Sequence, residues 1–298
     1  MEDTIKIVEC PRDAWQGLQH NVPAETKATA LRELLDVGFQ HIDAVSFVSP
    51  ATVPQMADSE KVLALLGPVN DAEIIGIIVN AKGAERAIVT GSVQTLGFPY
   101  SISPEFLRRN QNQTPEGSFE TLQTIMERAQ DAGLGVVAYI SMAFGNPYGD
   151  AWSLDALVNA CNLLVSAGVR QISLADTVGL ATPMLIQDAV GAAMAALAGQ
   201  GKIELGVHLH ARKDEASGKV RAAYEAGCRR FDGALGGLGG CPFAQDSLVG
   251  NIPTEILLTT LRHLGARLPE LRSLEDVLNA NRRIALEYGT TDRVEDLV

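Results

Sequence analysis

The chain has 298 residues, 46% hydrophobic and 20% charged, with a formal net charge of −12. Nearly half of it is apolar, enough for a large core without disulfides or structural metals, which excludes disordered, collagen-like and disulfide-scaffold proteins. The acidic balance argues against nucleic acid as a partner, because phosphate contacts need a basic footprint. A small anionic substrate held by a local cluster of arginines stays compatible with it. No apolar run approaches the roughly 18 residues that span a bilayer, so no membrane partner is expected. The start Met1-Glu2-Asp3 lacks the basic character of a signal peptide. Four cysteines, at 10, 161, 228 and 241, show no CxxC and no regular spacing, so a cytoplasmic protein with reduced thiols is expected.

In chain order, Val- and Ile-rich runs predict strands at 4–9, 40–44, 73–79, 94–99, 134–140, 170–175, 203–208 and 229–234. Amphipathic stretches lie between them, the clearest at 25–37, 118–132 and 154–167, each with a glycine just beyond it at Gly38, Gly133 or Gly168. The mean strand spacing is about 32 residues, the length of one βα unit. Length alone permits one domain or two, but eight such units point to a (β/α)8 TIM barrel over residues 1–265. Residues 266–298 then form a short C-terminal helical extension of the same domain, with a helical pattern at 273–288. A doubly wound sheet is the competing architecture, and the chain has neither GxGxxG nor GxxxxGK[ST] to support it. The apolar face at 189–197 reads as barrel packing or as the surface of a homodimer.

In a barrel the chemistry belongs to polar residues at the C-terminal ends of strands. Strand one runs into Glu9-Cys10-Pro11-Arg12-Asp13, where Arg beside Asp marks either a site or a surface turn. Asp43 closes strand two and Asp176 closes strand six, positions where Asp also serves to cap the next helix. Strand seven ends in His208-Leu209-His210. Period-two geometry sends both imidazoles to one side with Cα atoms about 6.5 Å apart, which suits two ligands of one metal or two hydrogen-bonded core histidines. After strand eight, Gly236-Gly237-Leu238-Gly239-Gly240-Cys241-Pro242 permits a mobile loop carrying an exposed, reactive thiol, unlike Cys10 and Cys161 in apolar segments. Asn251 follows, and Pro253-Thr254-Glu255 opens a helix.

One Asp, two His and an amide oxygen make a mixed O/N set without thiolate, suited to an octahedral divalent ion such as Mg²⁺ or Mn²⁺. With open positions for a hydroxyl and a carbonyl oxygen, and a nearby cation for an enolate, this set fits a metal-dependent lyase or aldolase.

The motifs that carry this chemistry resemble those of the 3-hydroxy-3-methylglutaryl-CoA lyase family, metal-dependent barrel enzymes that break or form C–C bonds through enolates. The matching segments are Ile7-Val8-Glu9-Cys10-Pro11-Arg12-Asp13, Ser46-Phe47-Val48-Ser49-Pro50, Val53-Pro54-Gln55-Met56, Tyr139-Ile140-Ser141, Ser173-Leu174-Ala175-Asp176-Thr177-Val178-Gly179, His208-Leu209-His210 and the Gly-Leu-Gly-Gly-Cys-Pro loop, the most specific of them. The resemblance implies that Asp13, His208, His210 and Asn251 bind the metal, and that Arg12 stabilises a thioester enolate. It implies Cys241 as general acid and Asp13 or His208 as the base. Ser46, Ser141 and Thr177 would line the substrate, while Glu9, Asp43, Asp176 and Glu255 would orient Arg12 and the ligands. The expected products are acetyl-CoA and acetoacetate. Arg108-Arg109, after strand four, are candidates for the phosphates of the acyl-CoA partner.

Four departures stand out from the family pattern. Ala14-Trp15-Gln16 intervene before Gly17-Leu18-Gln19, Asp43 replaces a Glu, Ala211 replaces an Asp after the histidine pair, and the stretch from Cys241 to Asn251 is one residue longer. They leave room for a related 3-hydroxy-acyl-CoA as substrate. A Claisen synthase joining acetyl-CoA to a 2-keto acid, of citramalate or isopropylmalate type, is a competing expectation, as is a CoA-ester-binding barrel without turnover. The first usually carries a long regulatory tail and lacks the Gly-Gly-Cys-Pro loop.

Overall fold

Eight short apolar strands, each followed by helical sequence, have one economical solution: a parallel sheet closed on itself with its helices outside. The computed structural model describes residues 4–239 and 249–289. Cys241 lies outside the described residues. The first half runs β1 (Lys6–Glu9), α1 (Pro11–Gln16), α2 (Ala24–Val37), β2 (His41–Ser46), α3 (Ser59–Leu66), β3 (Glu73–Ile77), α4 (Ala81–Thr90), β4 (Thr95–Ser101), α5 (Pro104–Gln111) and α6 (Pro115–Ala132). The second runs β5 (Gly135–Ser141), α7 (Leu154–Ser166), β6 (Gln171–Ala175), α8 (Pro183–Leu197), β7 (Glu204–His208), α9 (Lys213–Glu225), β8 (Arg230–Gly233), α10 (Thr254–His263) and α11 (Glu275–Tyr288). The strands close in sequence order, β8 pairing with β1 through Lys6↔Arg230 to Glu9↔Gly233. The chain is a (β/α)8 TIM barrel.

The helices start and stop where their sequence directs. Thr114 and Ser153 accept hydrogen bonds from Gly117 N and Ala156 N at the starts of α6 and α7. At the other end of α2, Gly38 turns left-handed at φ 113° while its N–H reaches back to Leu34 and Leu35. The apolar face of α8 (Ile186, Ala189, Val190, Ala193, Leu197) is buried within this single chain. That face is therefore barrel packing, one of the two readings of the stretch.

The pleat divides each strand into two faces. Inward-facing residues such as Val8, Cys10, Ile75, Ile77, Val137 and Tyr139 form a small core inside the barrel, and the larger core lies between sheet and helices. Strand two differs from its expected end: it continues past Asp43 to Ser46 through an irregularity between Asp43 and Val45. This places Asp43 within the strand, pointing inward, and not at its end as a helix cap. Ala14-Trp15-Gln16 complete the helical turn α1, with Trp15 buried as its anchor. Among the described residues no helix is long and apolar enough to cross a membrane.

Candidate active site

At the C-terminal mouth of the barrel, β1 and α1 deliver Arg12 and Asp13, and β7 delivers His208 and His210. One ligand atom each from Asp13, His208 and His210 lie within 4.8 Å of one another. The two imidazole rings stand edge to face with centroids 5.2 Å apart. Asn251, bridged to His210 by backbone pairing, donates from Nδ2 to Asp13 Oδ2 at 2.7 Å and to the Leu238 carbonyl at 2.9 Å. All four residues named from the sequence as metal ligands thus meet in one place.

The charge states follow from the surroundings. Burial works to raise Asp13, but Arg12 and the two imidazoles outweigh it and bring its carboxyl down to about 2. His210 is held down to about 4 by burial and by the neighbouring His208, so it is neutral at pH 7. Burial works to lower His208 too, yet the hydrogen bond and charge of Asp232 lift it above its ordinary value. The His210 ring also hydrogen-bonds the Thr177 backbone, and its Nε2 is buried with no partner.

A buried ring nitrogen with a lone pair and no donor in reach, beside an ionised carboxylate and a second imidazole, is the donor chemistry of a divalent-cation site. Asn251 presents its amide nitrogen to Asp13 and Leu238 here, and would offer its amide oxygen to a cation after a half-turn of the amide. The residues present therefore fit a hard or borderline divalent ion. Cys10 also approaches His208 and Asp232 within 4.8 Å. Burial, with nearby carboxylates, pushes its thiol far up, so it remains a neutral core residue.

Arg12 is clamped. Its Nε donates to Asp43 Oδ1 at 3.0 Å and its Nη2 to Asp43 Oδ2; its Nη1 donates to Asp13 Oδ1 and to Gln16 Oε1, both at 3.0 Å. Burial lifts the Asp43 carboxyl, with Arg12 opposing.

Three residues expected to orient Arg12 and the ligands do something else. Glu9, one position from the inward Cys10, faces outward by the strand's period of two. Its two oxygens accept from Leu235 N at 2.8 Å and Thr254 Oγ1 at 2.5 Å, and burial raises its carboxyl to about 8. Glu255 accepts from Gly236 N at 3.1 Å. Both organise the turn after β8 and touch neither Arg12 nor a ligand. Asp176 accepts from Ala181 N and from Lys219 Nζ, and the same ammonium donates to the His210 carbonyl at 2.7 Å. Its influence on His210 passes through Lys219.

The remaining candidates sit at the rim. Ser141 ends β5. Thr177 Oγ1 accepts from Met142 N at 2.9 Å and so holds Met142 in a left-handed conformation at φ 60°. Ser46 is buried, its hydroxyl accepting from Val48 N. Arg108 and Arg109 lie in the last turn of α5, exposed, both paired with Glu105, and Arg109 stacks 4.7 Å over Tyr148.

Two residues escaped the sequence reading. Asp232 on β8, fully buried, faces His208 Nδ1 at 3.3 Å and Arg230 Nη2 at 3.4 Å. The signal was the inward alternation Arg230, Asp232 in an otherwise apolar strand. Lys219, on α9 and buried, is the other. Gly239, at φ 95°, packs so closely that a Cβ there would lie 2.6 Å from Asn251 Nδ2 and 2.9 Å from the Asp13 carbonyl. Gly239 therefore rests directly on the ligand cluster, two residues before Cys241 in the chain.

The family model described as HMGL-like matches residues 5–284. This chain belongs to the HMGL-like family. Among HMGL-like relatives, the mitochondrial hydroxymethylglutaryl-CoA lyase of Mus musculus is 36% identical over 88% of this chain and 79% of its own length. The hydroxymethylglutaryl-CoA lyase of Pseudomonas mevalonii is 32% identical over 97% of this chain and 94% of its own. An HMG-CoA lyase of Acinetobacter baumannii, solved with coenzyme A and 3-methylmalate, superposes with a TM-score of 0.87 at 31% identity, covering 98% of this chain and 94% of that one. HMGL-like enzymes of this kind are metal-dependent lyases.

Proposed function

We propose that this chain cleaves 3-hydroxy-3-methylglutaryl-CoA to acetyl-CoA and acetoacetate, with one Mg²⁺ or Mn²⁺ held by Asp13, His208, His210 and Asn251. The observation that carries this reading is the convergence of Asp13, His208 and His210 within 4.8 Å, with a partnerless His210 Nε2 and a clamped Arg12 beside them. When bound, such an ion polarises the substrate's C3 hydroxyl and carbonyl oxygens.

The chain's own residues supply the rest. The proton of the C3 hydroxyl passes to Asp13 or His208 as the C2–C3 bond breaks and C3 becomes the ketone carbon of acetoacetate. The electron pair released onto the acetyl-CoA fragment is held as an enolate, its oxygen facing Arg12. The Cys241 thiol, in the loop that begins over Asp13, returns a proton to that carbon, and the proton taken by the base restores the thiol. Ser46, Ser141 and Thr177 would shape the acyl end of the pocket. Arg108 and Arg109 would reach the coenzyme phosphates by exchanging Glu105 for them. The reaction is assigned to the cytoplasm.

The test is acetoacetate release from 3-hydroxy-3-methylglutaryl-CoA by chelator-treated protein, before and after adding Mg²⁺ or Mn²⁺. Turnover is expected only with the ion. No acetoacetate with either metal overturns the proposal, and consumption of acetyl-CoA with a 2-keto acid instead would establish the synthase.

A further inference from the structure

We propose that Lys219 is a positioning residue for His210: its buried ammonium holds the backbone of this ligand directly and its ring through the loop after β6. Lysine is almost never fully buried unless its three ammonium hydrogens find partners. Lys219 lies on the core-facing stripe of α9, three residues after Ala216 and four before Ala223, both fully buried. Its head meets three acceptors: Asp176 Oδ2 at 3.1 Å, the Gly179 carbonyl at 3.2 Å and the His210 carbonyl at 2.7 Å. No hydrogen is left for a substrate, so the role open to this side chain is to hold.

The three bonds converge on one ligand. The bond to the His210 carbonyl fixes the backbone just past β7, where Ala211, in place of the family's Asp, offers no polar side chain. The other two tie down the loop after β6. Asp176 also accepts from Ala181 N through Oδ1, and its own N–H donates to the His208 carbonyl at 2.9 Å. Thr177 lies between Asp176 and Gly179, the two loop residues that Lys219 grips. The Thr177 carbonyl accepts from the His210 ring, and since Nε2 has no partner the donating nitrogen is Nδ1. The ring is thereby held in the tautomer that leaves the Nε2 lone pair free for a cation.

The clamp also reaches the segment carrying Asn251. Gly179, left-handed at φ 74°, packs so closely that a Cβ there would lie 3.0 Å from Val249 Cβ, two residues before Asn251. A lysine that only neutralised Asp176 would affect stability. One that aims His210 affects the tautomer of its ring and the affinity for a metal.

The metal-binding arm of the test rests on the cation site proposed above, whereas the spectroscopic arm does not. In long-range ¹H–¹⁵N spectra of metal-free protein at pH 7, His210 should show a single Nδ1–H tautomer, assigned by its loss in His210→Gln. Lys219→Met should mix the two tautomers, and Lys219→Arg, which keeps the charge and the donors, should retain one. Mn²⁺ titration followed by electron paramagnetic resonance should show about 10–100-fold weaker binding in Lys219→Met, with most of the loss recovered in Lys219→Arg. Because Lys219→Met strands a buried carboxylate, the double variant Asp176→Asn/Lys219→Met removes both charges, and it should show the same mixed tautomers and the same loss. A single Nδ1–H tautomer in either variant, once folded, overturns the proposal, as does Mn²⁺ affinity like the wild type's. If wild-type protein binds no Mn²⁺ or releases no acetoacetate, the lyase reading fails by itself, and the tautomer still decides whether Lys219 aims His210.

Discussion

A metal ligand is only as well aimed as the group behind it. His208 has Asp232 Oδ2 at 3.3 Å from Nδ1, which fixes the tautomer and leaves the second ring nitrogen for a cation. Asp232 is in turn held by Arg230, whose stem runs over Gly206: a Cβ on Gly206 would sit 2.8 Å from Arg230 Cγ. Glycine at 206 is what lets an arginine occupy the barrel interior. Asp232→Asn keeps the volume but removes the charge that holds both neighbours. Loss of such a supporting carboxylate costs about 10–100-fold in metal affinity, and Mn²⁺ titration followed by electron paramagnetic resonance should show that loss. Because the change also leaves Arg230 with a weaker partner, thermal melting should be followed in parallel. Unchanged Mn²⁺ affinity in a folded Asp232→Asn protein would remove His208 from the ligand set.

At the scale of elements, the barrel was legible because its strands are short runs of Val, Ile and Leu between glycine-stopped amphipathic helices, and all eight fall within about two residues of their expected bounds. The ligands were legible for the same reason: alternation along β7 puts His208 and His210 on one side. What escaped has physical causes. An irregularity between Asp43 and Val45 prolongs β2 to Ser46, so Asp43 lies inside the strand opposite Ile75 and does not close it. Glu9 came with the resemblance as an orienting residue, whereas the pleat turns it to the other face. Ala14-Trp15-Gln16 looked like an interruption because the helical turn it makes is too short to show a period.

The same alternation divides the labour of the two barrel ends. At the N-terminal end Glu73 on β3 bonds Lys6 at 2.9 Å, His41 Nδ1 at 2.8 Å and Thr95 Oγ1 at 2.5 Å, tying four strands together away from the site. Burial works to raise this carboxyl, but the bonds from His41, Lys6 and Thr95 outweigh it and hold it well below its ordinary value. A depressed acid binds fewer protons folded than unfolded, so its contribution is complete above about pH 5 and is lost as pH falls toward the folded value. Glu73→Gln should therefore lower stability by about 1–3 kcal/mol at pH 7. It should also flatten the decline of Tm between about pH 5 and 3, and leave kcat near wild type. A kcat loss as large as that of a mouth residue would contradict this separation of stability from chemistry.

For the whole molecule, the net charge of −12 means that any positive field at the mouth is local, supplied by Arg12 and a bound cation within an acidic shell. The turn that leads into the glycine-rich segment is tied to α11, near the far end of the chain. The turn Leu235–Gly237 is held by Glu9 through Leu235 N, by Glu255 through Gly236 N, and by Asn281 of α11, whose Nδ2 donates to the Leu235 carbonyl at 2.7 Å. α11 also buries Val277, Ile284 and Ala285 against the barrel. Its removal combines two effects that separate variants can resolve. Ending the chain at residue 273 exposes that apolar seam, worth on the order of 4 kcal/mol for Val277 and Ile284 together. For a chain of this size that corresponds to a Tm roughly 10 °C lower. Asn281→Ala keeps the seam and removes only the bond to the turn. It should shift Tm by no more than about 3 °C while lowering kcat several-fold, since the turn that seats Gly239 against Asp13 and Asn251 then loses an anchor. Wild-type turnover in Asn281→Ala would reduce α11 to a packing element. A truncated chain melting with the full one would show that the barrel closes without it.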